Sequence, residues 1–396
     1  MLGVASADVP PGSFADDPKV WSFRFLGIVG FSDPLRSGVP EAVESCRSAG
    51  IRVILVTGDH PETASAVARE AGIRNPDRVL TGADLETVDD ATLRQQASEV
   101  EVFARIPPED KLRLVEALKA NGEVVAMTGD GVNDSPALKA AHVGIAMGGR
   151  GTDVAREAAD FVLLDDTFST MVDAIRVGRR IYANIRRAFR YLIAIHVATA
   201  GVALLPVLFH LPIILFPVEI VFLQFVIDPA ASLGFEAEPE EPGSMQRPPR
   251  DPLEAVLDRP ALILSLIRGG GVLAVTVAFY GVALANGLGD SESRALAFTT
   301  LVVANLALIL VHRSPAAWSS QGPQSHNWVL AMVIGAGVGL LALSLYLASL
   351  VELFQFSSPS GVELALAAGV GIVGALWFEP LRAIRRAKPN LRATAA

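Results

Sequence analysis

The stretch MTGDGVNDSPALKAAHVGIAMG, residues 127–148, decides how this chain is read. It follows the apolar run Glu123-Val124-Val125-Ala126, which has the character of a buried parallel strand. A strand that enters a Gly- and Asp-rich loop and then a helix puts the loop at the carboxyl edge of a sheet, where α/β proteins bind ligands. Asp130 and Asp134 flank Gly131 and Asn133, so two carboxylates converge where the backbone turns tightly. Oxygen ligands on a loop suit Mg²⁺, which is commonly held by one or two carboxylates while phosphate and water complete its shell. Ser135 is a fitting N-cap and Pro136 a fitting first residue for the helix that follows. Taken alone, an Asp-Gly pair turns a chain for purely local reasons.

Three further motifs stand in order: Asp33-Pro34-Leu35-Arg36, Thr57-Gly58-Asp59 and Pro108-Glu109-Asp110-Lys111. Together with residues 128–148 they resemble the signatures of the P-type cation-transporting ATPases, in a likeness running from about Phe25 to the last apolar segment.

Composition sets the frame. The chain has 396 residues, a net charge of −9 and one cysteine. Its mean hydropathy of +0.42 exceeds that of ordinary soluble proteins, and the apolar excess lies after residue 188. A membrane domain behind a soluble one is expected, and the acidic balance disfavours a nucleic-acid partner. Cys46 lies in an amphipathic helical pattern and is expected to be a buried, inert thiol. The first 20 residues lack a basic start and an apolar core, so no signal peptide is expected.

Residues 1–18 form an irregular start with Pro10, Pro11 and Pro18. Strands are expected at 25–31, 51–56, 101–104, 123–127, 143–147 and 160–164. Helices are expected at 38–49, 61–71, 89–98, 108–120, 136–141 and 152–158. This alternation implies right-handed crossovers and a parallel, Rossmann-like sheet. Thr57 ends one strand, and its hydroxyl can donate to a phosphate oxygen. Lys111 opens a helix, where an ammonium can neutralise a phosphoryl group. The expected fold is thus an α/β Rossmann-like domain over residues 19–167, followed by an all-α membrane domain of six transmembrane helices.

The resemblance adds a haloacid-dehalogenase type to the α/β domain and names its chemistry. It implies that Asp130 and Asp134 bind Mg²⁺, and that Thr57 and Lys111 hold the phosphoryl group. It further implies that Asp33, Gly58, Asp59, Gly129, Asn133 and Asp134 shape the phosphate edge and hinge. The implied reaction is attack of an aspartate on the γ-phosphate of ATP, then hydrolysis of the aspartyl-phosphate. The family places that nucleophile in an Asp-Lys-Thr-Gly-Thr motif, and no such string occurs among the 396 residues. The chain therefore reads as the carboxyl-terminal half of a pump. A separately encoded amino-terminal half is one partner this implies, and the chain alone is expected to be inactive.

A basic helical stretch at 168–190 resembles the family's stalk and carries Arg176, Arg179, Arg180, Arg186, Arg187 and Arg190. Six spans are expected at 191–209, 213–233, 269–287, 295–312, 328–350 and 361–379, within a membrane domain at 191–381. At about 1.5 Å per residue, some 20 residues cross a core of about 30 Å. Arginines crowd the stalk, the 236–268 loop and the tail at 382–396, which puts both termini in the cytoplasm of a cell bounded by this plasma membrane. Gln224 and Asp228 are four apart, on one expected helical face, and Pro229 is expected to unwind the helix and free carbonyl oxygens. By resemblance Asp228, with Gln224, His196, Thr199 and Asn305, lines the path of the transported cation. The calcium-pump branch carries a glutamate and an asparagine where this chain has Thr199 and His196. One span carboxylate is few for a Ca²⁺ cage of six or more oxygens. A proton, a monovalent ion and another divalent stay open as cargo. Arg268 and Glu219, nearer the span ends, are expected to snorkel.

Two other readings are open. One is a catalytically inactive membrane protein that binds Mg²⁺ or phosphate or regulates a full-length pump. The other, a soluble-type phosphatase on a membrane anchor, lacks a candidate nucleophile.

Overall fold

The computed structural model describes residues 2–9, 17–30, 34–313 and 327–379. Asp33 and the 382–396 tail lie outside the described residues. The chain divides into two compact units, Met1–Arg47 with Ile51–Val172, and Ser48–Gly50 with Asp173–Ala396.

The first unit begins with strands β1 (Leu2–Ser6) and β2 (Arg24–Val29), which pair antiparallel as a two-stranded ribbon. This corrects the sequence reading twice. Residues 2–6 are ordered as a strand despite the prolines that follow, and β2 joins this ribbon instead of the parallel sheet. Alternation then sets in as expected: α1 (Val39–Ser48), β3 (Leu55–Val56), α2 (Pro61–Ala71), β4 (Val79–Thr81), α3 (Gly82–Glu86), α4 (Asp90–Glu99), β5 (Val102–Ala104), α5 (Pro108–Ala120), β6 (Ala126–Gly129), α6 (Ser135–Ala140), β7 (Val143–Met147), α7 (Asp153–Ala158) and β8 (Phe161–Leu163).

The strands form two three-stranded parallel sheets, ordered β3-β5-β4 and β6-β7-β8, where one sheet was expected. Residues 51–54 and 123–125 carry strand-like sequences but lie outside the ladders. They still share a core, because Ile54, Val56 and Val125 pack on Leu85, Leu93, Phe103, Leu114 and Leu118. Helices α2 and α5 match expectation to the residue because each has proline at its first position, where no intrahelical donor is needed. Helix α2 also stops where Gly72 turns left-handed at φ 79°. Cys46 is buried in α1, as its pattern suggested.

The second unit is helical: α8 (Phe168–Phe209), α9 (Pro217–Phe222), α10 (Asp228–Glu236), α11 (Arg259–Ala285), α12 (Asp290–His312), α13 (Trp328–Tyr346), α14 (Ala348–Phe354) and α15 (Gly361–Leu376). Five helical stretches are long and apolar enough to cross a membrane, counting Pro217–Glu236 as one, and α15 is a shorter apolar helix of 16 residues. Six spans are thus approached, with the last one shorter than expected. Helix α12 is the centre of this unit, since 78% of its apolar window is buried against 28–38% in the other four. Helix α15 lies close against it at Gly371, where a Cβ would come within 2.6 Å of the Thr300 carbonyl oxygen.

Two expectations fail here, one through a local backbone adjustment and one through distant partners. Pro229 does not unwind its span. A proline removes one ladder bond and its ring collides with the carbonyl four residues back. The chain relieves this through a π-helical turn, Leu223–Ile227, that joins α9 to α10 without a break. Arg268 and Glu219 do not snorkel either; they are 3% and 0% exposed.

Candidate functional site

Chemistry-bearing groups of the first unit gather at the carboxyl ends of its strands. Thr57 leaves β3, and main-chain bonds lace its loop to the end of β5. Thr57 N donates to Phe103 O at 2.9 Å, Arg105 N to Asp59 O at 3.0 Å and Ile106 N to Thr57 O at 3.1 Å. Within the loop, the Thr57 hydroxyl donates to Asp59 Oδ2 at 2.9 Å while accepting from Asp59 N at 3.1 Å. Gly58 and Asp59 are exposed beside it.

Lys111 projects from the first turn of α5, and its Nζ donates to Asp134 Oδ1 at 2.6 Å. The other oxygen of Asp134 accepts from Gly131 N at 3.3 Å, so the turn after β6 is closed by the same carboxylate. Gly129 makes this possible: a Cβ there would lie 2.5 Å from the Asp134 Cβ. Asn133 is exposed on the same turn. Asp130 differs from Asp134. Its carbonyl accepts from Thr152 N at 2.9 Å, while its carboxylate is exposed and has no hydrogen-bond partner among the described residues. Among the described residues no three His, Cys, Asp or Glu converge as a metal cage. A Mg²⁺ ion completed by phosphate and water needs no such cage. The single free carboxylate of Asp130 fits that requirement; Asp134, engaged through both oxygens, is placed to orient Lys111.

Electrostatics at the rim are set by local bonding. Asp165 accepts from Thr170 Oγ1 at 2.6 Å, Thr167 Oγ1 at 2.8 Å and Thr167 N at 3.2 Å, which holds its carboxyl below the usual aspartate range. Asp110, in the first turn of α5, moves the other way, because burial disfavours its charged form.

In the helical unit, Asp228 is buried with Oδ1 lacking a partner among the described residues, and Asn305 of α12 is 1% exposed with both amide atoms likewise unpaired among them. Buried polar atoms are nearly always paired, and exceptions ask for a water or an ion. Thr199 is buried on α8, and His196, three residues before it, is exposed. His196 Nδ1 donates to Leu192 O at 2.8 Å within its own helix, which leaves Nε2 as the acceptor. Gln224 is exposed whereas Asp228 is buried, so the expected common face is not kept. The wider π turn between them shifts the side-chain phase. Sequence reasoning also missed Tyr191, fully buried on α8 with its hydroxyl unpaired among the described residues and its ring against Phe235 at 5.3 Å. Its place before an apolar run gave no hint of that isolation.

Comparison with known proteins finds matches for both parts of the chain. A family model described as "haloacid dehalogenase-like hydrolase" matches residues 9–142, and a second of the same description matches 111–175. One described as "Cation transporting ATPase, C-terminus" matches residues 212–384. The chain is 39% identical over 325 residues to a "Calcium-transporting ATPase" of Bacillus subtilis (strain 168), covering 81% of this chain and 36% of that protein. It is 36% identical over 364 residues to "Calcium-transporting ATPase type 2C member 2" of Mus musculus, covering 90% of this chain and 38% of the relative. It is likewise 36% identical over 354 residues to "Probable cation-transporting ATPase F" of Mycobacterium tuberculosis (strain ATCC 25618 / H37Rv), covering 86% and 38%. The chain thus spans a little over a third of the length of these relatives, 36–38%. Over 81–90% of its length this chain is thus similar to the carboxyl-terminal part of P-type cation-transporting ATPases, with a dehalogenase-like α/β unit followed by membrane-length helices.

Proposed function

We propose that these residues serve ATP-driven cation transport through an aspartyl-phosphate, in a multi-pass protein of the plasma membrane with both termini in the cytoplasm. The observation that carries the reading is the coexistence of a phosphate-handling edge with Asp228 Oδ1 and the Asn305 amide, which lack partners among the described residues, in the helical core. Asp130 would hold Mg²⁺, which when bound supplies charge neutralisation to the transferred phosphoryl group. Lys111, oriented by Asp134, neutralises a phosphoryl oxygen at the same edge, and the Thr57 hydroxyl turns from Asp59 to donate to another. Gly58, Asp59, Gly129 and Asn133 shape the two loops that close around the phosphate, and Asp33, outside the described residues, is assigned to the same phosphate chemistry by resemblance alone. Asp228, Asn305, Thr199, His196 and Gln224 contribute oxygen and nitrogen donors to the cation path. The relatives' names make Ca²⁺ the first cation to test, while a lone path carboxylate favours lower charge.

A polypeptide of only these 396 residues is proposed to be inactive, because the phosphorylated motif must come from an amino-terminal portion. Incubation with γ-labelled ATP and Mg²⁺ should leave it unlabelled; an acid-stable label on one of its aspartates overturns this. In a fusion to the amino-terminal portion of the Bacillus subtilis relative, Asp130→Ala should abolish phosphoenzyme formation. Asp228→Asn should remove cation stimulation yet keep phosphorylation by inorganic phosphate. Wild-type behaviour of either variant removes that residue from its role. The second reading, a regulator of a full-length pump, gains if the fusion is inactive while the chain co-purifies with an intact relative.

A further inference from the structure

Arginines inside a bilayer are costly and need internal partners. Arg294, at the start of α12, is 4% exposed. Its Nη2 donates to Glu219 Oε1 of α9 and, at 3.0 Å, to the Phe354 carbonyl at the end of α14. Its guanidinium lies 3.5 Å from the centroid of the Phe216 ring. Glu219 is closed off in turn, since Oε2 accepts from Phe216 N at 2.8 Å.

The opposite end of α12 is held by a second arginine. Arg268 of α11 contacts His312 and donates to Glu379 beyond α15. The protonation of His312 follows from its neighbours. Nδ1 lies 2.8 Å from the Leu308 carbonyl, which only accepts, so Nδ1 carries the proton. Nε2 faces Arg268 Nη1 at 3.1 Å, which only donates, so Nε2 holds the lone pair. Among the described residues, the Nε–H groups of both arginines lack a partner.

Asn305 stands between these ends, eleven residues from Arg294 and seven from His312, about 16 Å and 10 Å along the axis. Each arginine has a carboxylate of its own, so neither draws on the charge of Asp228.

We infer that Arg294 and Arg268 are positioning residues that pin α12 at both ends, fix Asn305 beside the cation path, and fuse α9 to α12. This rests on the reading of Asp228 and Asn305 as path residues. The fusion leaves the π turn as the joint at which α10, with Asp228, moves relative to α9. Glu219 on this account is a structural anion and not a cation ligand.

Hydrogen exchange on the purified 396-residue chain in lipid nanodiscs tests the clamp directly. Arg294→Met alone strands a buried carboxylate and risks misfolding, so the paired variant Glu219→Met with Arg294→Met is the decisive one. Its unfolding temperature should stay near that of the parent, while amide exchange across residues 218–222 rises about tenfold and α13 is unchanged. Arg268→Gln with Glu379→Gln should raise exchange only in the last turn of α12. In the fusion described above, the Glu219/Arg294 pair variant should need about tenfold more cation for half-maximal stimulation at an unchanged maximal rate. Unchanged exchange at 218–222, or an unchanged half-saturating concentration, overturns the inference. A neutral outcome for Asp228→Asn would instead remove the path while leaving the exchange result in place.

Discussion

The Lys111–Asp134 pair of the α/β unit has side chains 18% and 10% exposed, whereas those of Arg294–Glu219 in the helical unit are 5% and 0% exposed. Both join oppositely charged groups from distant stretches of chain. The first pair stands at a rim where water or a phosphate can replace either partner as a bond lengthens. The second has no such substitute, and its charges are held by a ring face, a peptide carbonyl and each other. Exposure therefore separates a pair that a reaction can open and close from one that must persist.

The contrast breaks most readily at the membrane pair. Arg294→Met should destabilise the helical unit by about 3–5 kcal/mol through an unpaired buried carboxylate, and the paired Met variant should recover most of it. Denaturation in detergent, followed by helical circular dichroism, measures both. Equal loss in the single and paired variants would mean that packing, not charge, is the main contribution.

A smaller effect is expected at the rim. Asp134→Asn should cost about 1.5–3 kcal/mol, the range for hydrogen bonds to charged groups, and should free Lys111. Urea unfolding of the α/β unit reports the cost. A loss as large as that of Arg294→Met would erase the distinction between the two pairs.

The smallest effects are pH-dependent and opposite in sign. Asp165 has a folded pKa below its unfolded value of about 3.9, so its stabilisation is present above that pH and fades as pH falls through the folded value. Asp165→Asn should lower the unfolding temperature at pH 7, and the difference from the parent should shrink as pH falls through the folded value. Asp110 is raised by burial, so its charged form costs stability once pH exceeds the folded value. Asp110→Asn should raise the unfolding temperature at pH 7 and not at pH 3. Parallel profiles for the two variants would contradict these environments.

What the sequence made legible follows the range of the forces involved. Helices α2 and α5 were readable to the residue because proline and glycine act within one turn. The edge loops at Thr57, Lys111 and Asp130 were readable because their residue types and order carry the chemistry. Strand β2 was recognised as a strand but misplaced, because its partner, Leu2–Ser6, sits behind a proline-rich stretch. The shortened β3 and β6 were hidden because ladder pairing is not a property of either segment alone. Arg268 and Glu219 were misjudged for the same reason. Arg268 meets Glu379 at a separation of 111 residues and Glu219 meets Arg294 at 75, distances no local pattern spans.

Cys46, 1% exposed within α1, is the one cysteine among the 396 residues. Thiol reagents react through an accessible thiolate, which a sealed side chain does not offer. The native chain is thus close to silent toward maleimides and methanethiosulfonates without any substitution. A cysteine placed at Gln224 would then be the one thiol outside the sealed core. Its rate of modification, read with and without a cation present, would turn the π turn that contains it into a site whose opening can be timed.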